Sequence, residues 1–289
     1  MKASPLKGIW LMIAASAALA VQDGFSRKLA GDYNTLMVVA FRYWIFALFV
    51  LGHAARRPEG FRAAIGSRRL GVHGLRALVM IADILLMVQA FTVIGLVQSH
   101  AVFAVCPLLV MAMSGPFLGE RIGLARWGAV VLGLVGVLII LRPGAEVFSL
   151  GALMPLGAAM MWGLYSVLTR ATTRDEPAFP AVFWPAVLGA VILLPLGIWN
   201  WRPVAEDDWA LLLGYAGVAI LGNWLLTKAY EAAEASVLQP FAYLLSVFSV
   251  LVGLTVFDER LEPLVALGGA IVCGAGLLAL ILARREARR

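Results

Sequence analysis

The stretch Leu118-Gly119-Glu120-Arg121-Ile122 recurs near the other end of the chain as Phe257-Asp258-Glu259-Arg260-Leu261. The two stretches lie 139 residues apart, and the same shift pairs Ala90-Phe91 with Ala229-Tyr230 without a gap. A match of this kind, extending over roughly thirty residues, indicates an internal repeat. The two halves of the chain are therefore expected to share one fold.

The composition of the 289 residues is that of a membrane protein, with 62% hydrophobic residues, 14% charged residues and a mean hydropathy of +0.91. Soluble domains are roughly half apolar and a quarter charged. Apolar runs of the length that a transmembrane helix needs recur along the whole chain. The predicted fold class is an all-α integral membrane protein with ten transmembrane helices. The predicted spans cover residues 7–23, 36–55, 74–94, 98–118, 124–141, 150–169, 179–199, 209–229, 236–257 and 264–283.

Each half of the chain, 1–145 and 146–289, holds five of these spans. A shift of 143 residues also pairs Arg27 with Arg170, so the first spans of the two halves correspond. Because five is an odd number, the second half must enter the membrane from the opposite side. Such inverted repeats are typical of secondary transporters, in which two halves move around a central cavity.

The lysine and arginine side chains indicate the orientation of the chain, because cytoplasmic loops are enriched in them. With the N-terminus in the cytoplasm, fifteen of the 23 cations fall on the cytoplasmic side, five on the outer side and three within spans. We therefore predict that both termini are cytoplasmic. The net charge of +6 then reflects topology, and nucleic acid is not an expected partner.

Sequence motifs for catalysis and for cofactor binding are absent. The chain has no phosphate-binding loop, no zinc-protease motif and no serine-hydrolase elbow. Cys106 and Cys273 both lie within apolar runs, so neither a disulfide framework nor a metal site is expected. An intramembrane enzyme would need converging catalytic groups, and Asp83 with His100 does not provide them. We expect neither an enzyme nor a cofactor.

The Gly-Glu-Arg turn at Gly119, the helix start at Arg126-Trp127-Gly128 and the two five-helix halves resemble the EamA-type branch of the drug/metabolite transporter superfamily. The second copy of the turn has Asp258 where the family usually has glycine. The resemblance covers the whole chain. It implies a central cavity lined mainly by spans 1, 3, 4, 6, 8 and 9, with spans 5 and 10 as packing helices. Within this branch, the tryptophan-rich sequence is similar to exporters of aromatic amino acids.

Charged residues within spans are candidates for function, because a charge near the bilayer centre costs about 3 kcal/mol or more unless it is paired or hydrated. Asp83 lies near the middle of predicted span 3, and Arg76 lies two helical turns away on the same face. Asp83 is predicted to bind an ammonium group or a proton. The alternative is a partnered carboxyl group that fixes helix packing.

Arg42 and Lys228 are the other two cations within predicted spans. Arg42 is expected to pair with Asp23 or Asp32, or to extend outward to the membrane surface. Lys228 lies at the cytoplasmic end of span 8, with Glu231 following at helical spacing, and is expected to form a local ion pair. Arg42, Arg76 and Lys228 are therefore assigned to ion pairing or gating.

Neutral polar residues would suit the binding of a zwitterion. Gln22 ends span 1, Asn223 lies in the middle of span 8, and the 139-residue shift pairs His100 with Gln239. These four residues are predicted to contact the substrate. The alternative is hydrogen bonding between helices, which is common in membrane proteins.

Five aromatic residues complete the predicted substrate site, because rings stack on aromatic substrates and accept cations over their faces. These residues are Trp44, Trp162, Tyr165, Trp224 and Tyr243. Trp162 and Tyr165 share one helix face. The alternative for the tryptophans is contact with lipid or with the protein core.

Pro107 and Pro240 are predicted to allow bends in spans 4 and 9, because proline removes a helix hydrogen bond. Glycines recur in span 5, at Gly128, Gly133 and Gly136, and in span 10. Small residues let helices approach closely. These two spans are therefore expected to pack closely and are a possible homodimer interface.

The predicted function is export of small metabolites across the inner membrane by alternating access between the two halves. The resemblance implies amino acids with aromatic or bulky apolar side chains as substrates, whereas the residues alone indicate only a small-molecule transporter. The alternatives are export of another metabolite or drug, such as a nucleoside, a cationic compound or a sugar conjugate, and a passive channel. The expected partners are the substrate and the lipid bilayer.

Overall fold

The computed structural model describes residues 5–58, 60–118, 123–141, 150–173, 178–232 and 235–286, and the regular structure within them is entirely helical. A short 3₁₀ turn, Leu150–Leu153, precedes α7. The α-helices are α1 (Pro5–Asp32), α2 (Thr35–Ala55), α3 (Phe61–Ile65), α4 (Leu70–Phe103), α5 (Cys106–Leu118), α6 (Leu124–Leu141), α7 (Met154–Thr173), α8 (Ala178–Trp199), α9 (Asp208–Ala232), α10 (Ala235–Val256) and α11 (Pro263–Glu286).

Among the described residues, five helices are long and apolar enough to cross a membrane, and they belong to α1, α2, α4, α8 and α9. Shorter apolar segments occur in α5, α6, α10 and α11. The predicted all-α class is confirmed. The arrangement as two inverted five-helix repeats, 1–145 and 146–289, stays a prediction.

Helix α1 continues to Asp32, nine residues beyond the predicted end of span 1 at residue 23. The sequence analysis ended the span where polar residues begin. These polar residues remain helical because they have partners within the protein. The hydroxyl group of Ser26 donates to the carbonyl oxygen of Asp23 at 2.8 Å, and Lys28 pairs with Asp32 at 3.0 Å one turn later.

Helix α4 contains the predicted boundary between spans 3 and 4 as an internal break at Gly95, whose backbone has φ 82° and ψ 171°. A second break separates α4 from α5, because Ala104 and Val105 lie between them. Pro107 is the second residue of α5, where the missing N–H group of proline is tolerated. The predicted bend at Pro107 therefore corresponds to the start of a new helix rather than to a kink within one.

Helix α1 lies between α9 and α10, and it also contacts α2 and α4. Helix α4 packs mainly on α7, and α2 packs mainly on α8. Helices α6 and α11 pack mainly on each other, which agrees with the packing role that the resemblance implied for spans 5 and 10. Consequently, the residues of α1, α2, α4, α9 and α10 are brought together in the interior of the bundle.

The contact between α6 and α11 depends on glycine. A Cβ atom on Gly136 would lie 2.8 Å from the carbonyl oxygen of Gly268 and 2.9 Å from the side chain of Val272. Gly128, on the same helix, has no neighbouring atom within 4 Å of its Cβ position. The close approach of Gly136 and Gly268 is thus made within one chain. A homodimer through these helices stays a prediction.

One end of the bundle is held by hydrogen bonds from the turn between α1 and α2. The hydroxyl group of Tyr33 donates to Asp208 at 2.6 Å, and the side chain of Asn34 donates to the carbonyl oxygen of Asn200 at 2.8 Å. The bond to Asp208 raises the pKa of Tyr33 above its ordinary value, because an ionised hydroxyl group could not donate it. Asn34 also caps α2 by accepting the N–H group of Met37.

We expect Gly136→Leu to destabilise the protein by about 1–3 kcal/mol, because the new side chain would force α6 and α11 apart. Thermal unfolding of the purified protein in detergent measures this change. Gly128→Leu is the matched control, because it adds the same side chain to the same helix where no contact is made. Equal destabilisation by the two variants would contradict the glycine contact.

Candidate functional site

A set of polar side chains from five helices lies in the interior of the bundle, and we refer to it as the polar cluster. These helices are apolar along most of their length, so polar groups inside them need a specific reason. The polar cluster comprises Gln22 and Asp23 of α1, Arg42 and Tyr43 of α2, Asp83 and His100 of α4, Tyr215 of α9 and Ser249 of α10. All of them are buried except Asp23, which is partly buried.

Asp23 connects three helices. Its Oδ2 atom lies 3.0 Å from Nε2 of His100 in α4 and accepts the hydroxyl group of Ser249 in α10 at 3.2 Å. The ring of Phe91 stacks on the His100 imidazole with 5.4 Å between the centroids. The His100 side chain is buried in the interior of the bundle. The Asp23 carboxylate is therefore the central acceptor of the polar cluster.

Arg42 provides the positive charge of the polar cluster. Its guanidinium group interacts electrostatically with Tyr215, Tyr43 and Asp23, and also with Asp83. Arg42 is buried in the bundle, and the ion pair with Asp23 or Asp32 that the sequence suggested stays a prediction. The cluster thus combines one cation, two carboxylates and two phenol groups within a small volume.

Several buried polar atoms of the polar cluster have no hydrogen-bond partner within the described residues. They include Oε1 of Gln22, the hydroxyl oxygen of Tyr43, Oδ1 of Asp83 and Nδ1 of His100. Burying a polar group without a hydrogen bond costs about 1–3 kcal/mol in proteins. Together these atoms can both donate and accept hydrogen bonds, which is what a polar substrate requires.

The sequence analysis singled out Gln22, Arg42, Asp83 and His100, and the structure places all four in the polar cluster. It did not single out Tyr43, Tyr215 or Ser249 as candidates, and Asp23 appeared only as a partner of Arg42. Tyr43 follows Arg42 directly, which is a weak signal in the sequence. Tyr215 and Ser249 have no local signal, because they reach the cluster only through the packing of α9 and α10.

Arg76 is fully buried and contacts α7. Its guanidinium group donates to the hydroxyl groups of Thr169, at 2.9 Å, and Tyr165, at 3.2 Å, and it lies 4.8 Å from the Tyr165 ring centroid. Trp162 lies beside Tyr165 with 5.8 Å between centroids. Arg76 therefore joins α4 to α7, and its predicted gating role stays a prediction.

Four other predicted residues lie on α2 and α9 outside the polar cluster. The Trp44 ring stacks on Trp201 at 6.0 Å. The side chain of Asn223 donates to the carbonyl oxygen of Ala219 in its own helix at 2.8 Å. Trp224 is 39% exposed, and Lys228 lies 5.2 Å from its ring centroid.

Tyr243 packs towards α11, where its ring lies against Gly276. It therefore points away from the polar cluster. The side chains of Gln239 and Pro240 lie outside the described part of the chain, so their predicted roles stay predictions. Among the described residues, no group of three or more His, Cys, Asp or Glu side chains is placed to hold a metal ion.

Comparison with known proteins identifies the family. The chain matches the EamA-like transporter family over residues 6–142 and again over residues 149–282. A solved crystal structure covers 97% of this chain and 98% of its own, with a TM-score of 0.64 and 21% identity, which shows a shared fold. The resemblance to EamA-type transporters is therefore confirmed.

Curated relatives cover almost the whole chain and carry several substrate names. A riboflavin transporter of Vibrio cholerae is 30% identical over 94% of this chain and 92% of its own. An S-adenosylmethionine uptake transporter of Rickettsia conorii is 25% identical over 98% of this chain and 95% of its own. A pseudopaline exporter of Pseudomonas aeruginosa is 24% identical over 92% of this chain and 93% of its own.

These names differ from the predicted amino-acid substrates, so the similarity to aromatic amino-acid exporters stays a prediction. The names and the family both indicate a transporter rather than an enzyme. The two family matches together span nearly the whole chain. This chain belongs to the EamA-like transporter family of multi-pass membrane proteins.

Proposed function

We propose that the chain carries a small, ring-bearing polar metabolite across the bacterial inner membrane, and that the polar cluster binds it. The observation that carries this proposal is the set of buried atoms on Gln22, Tyr43 and Asp83 without a hydrogen-bond partner among the described residues. Ionisable groups inside a membrane mark substrate pathways more often than packing contacts. A bound substrate would supply the partners that these atoms lack.

Riboflavin is the first substrate we propose. The Vibrio cholerae relative that is 30% identical is named for it, and so is a relative from Brucella anthropi that is 28% identical. The flavin ring carries one N–H donor between two carbonyl acceptors along one edge, and the ribityl chain carries hydroxyl groups. The open atom of Asp83 would accept from the ring N–H group, that of Gln22 from a ribityl hydroxyl group, and Tyr43 would donate to a ring carbonyl oxygen.

Amino acids with aromatic or bulky apolar side chains are the second candidate, and they are the substrates that the sequence analysis predicted for export. The specific observation in their favour is that the polar cluster holds both a guanidinium group, on Arg42, and a carboxyl group, on Asp83. A zwitterion carries the complementary pair, with its carboxylate for Arg42 and its ammonium group for Asp83. The S-adenosylmethionine relatives are named for a compound that also has an amino-acid portion.

The mechanism we propose is alternating access between residues 1–145 and 146–289, which move as two inverted halves around the polar cluster. The two separate matches to one family support this division. Both termini are proposed to be cytoplasmic, as the distribution of cations indicates. Helix α2 contributes Arg42 and Tyr43 to the proposed site, although the resemblance implied a cavity lined mainly by other spans.

Counterflow in proteoliposomes tests the substrate. We expect vesicles loaded with unlabelled riboflavin to accumulate labelled riboflavin with saturable kinetics, because a carrier exchanges its own substrate. Phe, Trp, Met, Thr and S-adenosylmethionine form the comparison panel. Exchange of the amino acids without riboflavin would support the second candidate, and exchange of none of these compounds would contradict both. Single-channel currents would identify a channel instead.

Tyr43→Phe is expected to raise the KM for the exchanged substrate about two- to tenfold, because a hydrogen bond contributes about 0.5–1.5 kcal/mol. The ring that packs on Gly189 is retained, so folding should be unaffected. Tyr243→Phe removes the same hydroxyl group from a ring that points to α11 and is the matched control. An equal effect of both variants would argue against the polar cluster as the binding site.

Asp83 is the residue at which we expect a proton to bind if transport is coupled to one. Asp83→Asn keeps the size of the side chain and removes its titration, so transport should lose its pH dependence. The measurement is the initial rate in proteoliposomes at several values of pH. Asp207→Asn, in the exposed connection before α9, is the control. A pH dependence that persists in Asp83→Asn would remove Asp83 from this role.

A further inference from the structure

Glu259 binds the break in α4. Gly95 ends the first part of that helix, and the next two N–H groups begin a new helical segment that runs to Phe103. The N–H group of Leu96 donates to Oε1 of Glu259 at 2.9 Å, and that of Val97 donates to Oε2 at 2.8 Å. The carboxylate therefore caps this segment with both oxygen atoms, and its negative charge suits a helix N-terminus.

Arg27 connects the same carboxylate to α1. It forms an ion pair with Oε1 of Glu259, and its guanidinium carbon lies 4.1 Å from the ring centroid of Phe257. The N–H group of Glu259 donates to the carbonyl oxygen of Gly253 at 3.1 Å, which holds the turn after α10. Three parts of the chain thus meet at one side chain: α1, the break in α4 and the turn between α10 and α11.

The contact requires glycine at position 95. The backbone there has φ 82°, which side chains other than glycine rarely adopt. A Cβ atom at Gly95 would also lie 2.7 Å from Oε1 and 2.8 Å from Cδ of Glu259. We refer to the contacts of Glu259 with Arg27 and with the break at Gly95 as the joint. A cleft of about 580 Å³ borders the joint, and Gln98 and Arg260 form part of its lining. The absence of a side chain at position 95 therefore allows the Glu259 carboxylate to approach the backbone closely.

The joint lies one helical turn from the polar cluster on both helices. Asp23 precedes Arg27 by four residues in α1, and Leu96 precedes His100 by four residues in α4. The α1 helix and the segment 96–103 are consequently connected twice: by Arg27 and Glu259 at the break, and by Asp23 and His100 in the cluster.

We propose that Glu259 is a positioning residue for the polar cluster, holding the segment 96–103 so that His100 meets Asp23. This inference rests on the proposed function of the polar cluster for its consequence in transport. Glu259 does not contact the substrate in this proposal. It acts through the backbone N–H groups of Leu96 and Val97, and Arg27 holds its carboxylate.

The NMR signals of His100 report the position of the segment 96–103, because His100 lies in it. The chain has only two other histidines, His53 and His73, so few signals need to be assigned. NMR spectra of the full-length protein, labelled at histidine and embedded in lipid nanodiscs, should contain one set of imidazole signals for each histidine. The set that is missing from the spectrum of His100→Asn belongs to His100. In Glu259→Gln we expect the His100 signals to shift, because the amide group cannot accept from both N–H groups. The signals of His53 and His73 should not change.

Glu262→Gln is the matched control, because it removes one negative charge in the same connection and leaves the cap intact. Glu259→Asp retains the charge on a shorter side chain, and we expect a smaller shift of the His100 signals. It also serves if Glu259→Gln does not fold. Unchanged His100 signals in every folded Glu259 variant, or an equal shift in Glu262→Gln, would overturn the proposal.

Counterflow of riboflavin separates this inference from the proposed function. If riboflavin is exchanged, Glu259→Gln should raise its KM roughly tenfold with a smaller change in the maximal rate, because the cluster is displaced. If the wild-type protein exchanges no riboflavin but the His100 signals shift as expected, the substrate is wrong and the positioning role of Glu259 stands. If riboflavin is exchanged and the His100 signals do not shift, the positioning role fails alone.

Discussion

Backbone N–H groups at the start of a helix have no acceptor within that helix, so another group must accept their hydrogen bonds. This constraint is most visible at Gly95, where α4 is interrupted and the next N–H groups lose their helical acceptors. The carboxylate of Glu259 accepts two of them, and Arg27 compensates its charge. The break in α4 is thereby capped, and the segment that carries His100 takes a defined position.

The need for a hydrogen-bond partner divides the polar side chains inside the bundle into two groups. Some are satisfied by nearby helices, as Arg76 is by Thr169 and Tyr165, and these connect one helix to another. Others, such as Tyr43 and Asp83, have atoms without a hydrogen-bond partner in the part of the chain that the structure describes. Because a satisfied group stabilises the fold and an open one costs stability, the second group is the better guide to function.

The family relationship establishes what kind of molecule this is but not which compound it carries. Relatives of similar identity are named for riboflavin, S-adenosylmethionine and pseudopaline, and their names include both uptake and export. One fold therefore accommodates different substrates and opposite directions. The residues that distinguish such proteins must lie in the binding site, so the composition of the polar cluster is more informative than overall identity.

The amino-acid sequence by itself determined the all-α membrane class, the position of most helices and the family. These properties depend on local hydropathy and on a repeated motif, both of which are readable along the chain. It also identified Arg42, Asp83 and Gln22, because a polar residue within an apolar run is conspicuous without any structure. The sequence analysis ended span 1 too early, because it took the polar residues from Asp23 onward as the end of the helix. Their partners include residues on other helices, such as His100 in α4, which the sequence does not show.

Only the tertiary structure decided which polar residues meet. Glu259 and Leu96 are 163 positions apart, and Ser249 and Asp23 are 226 positions apart. No spacing rule relates residues at such distances, because their contact depends on which helices are neighbours and on how each helix is rotated. The same reason separates Tyr43, which joins the polar cluster, from Tyr243, which packs against α11. Sequence determined the inventory of polar groups, and helix packing determined which of them share a site.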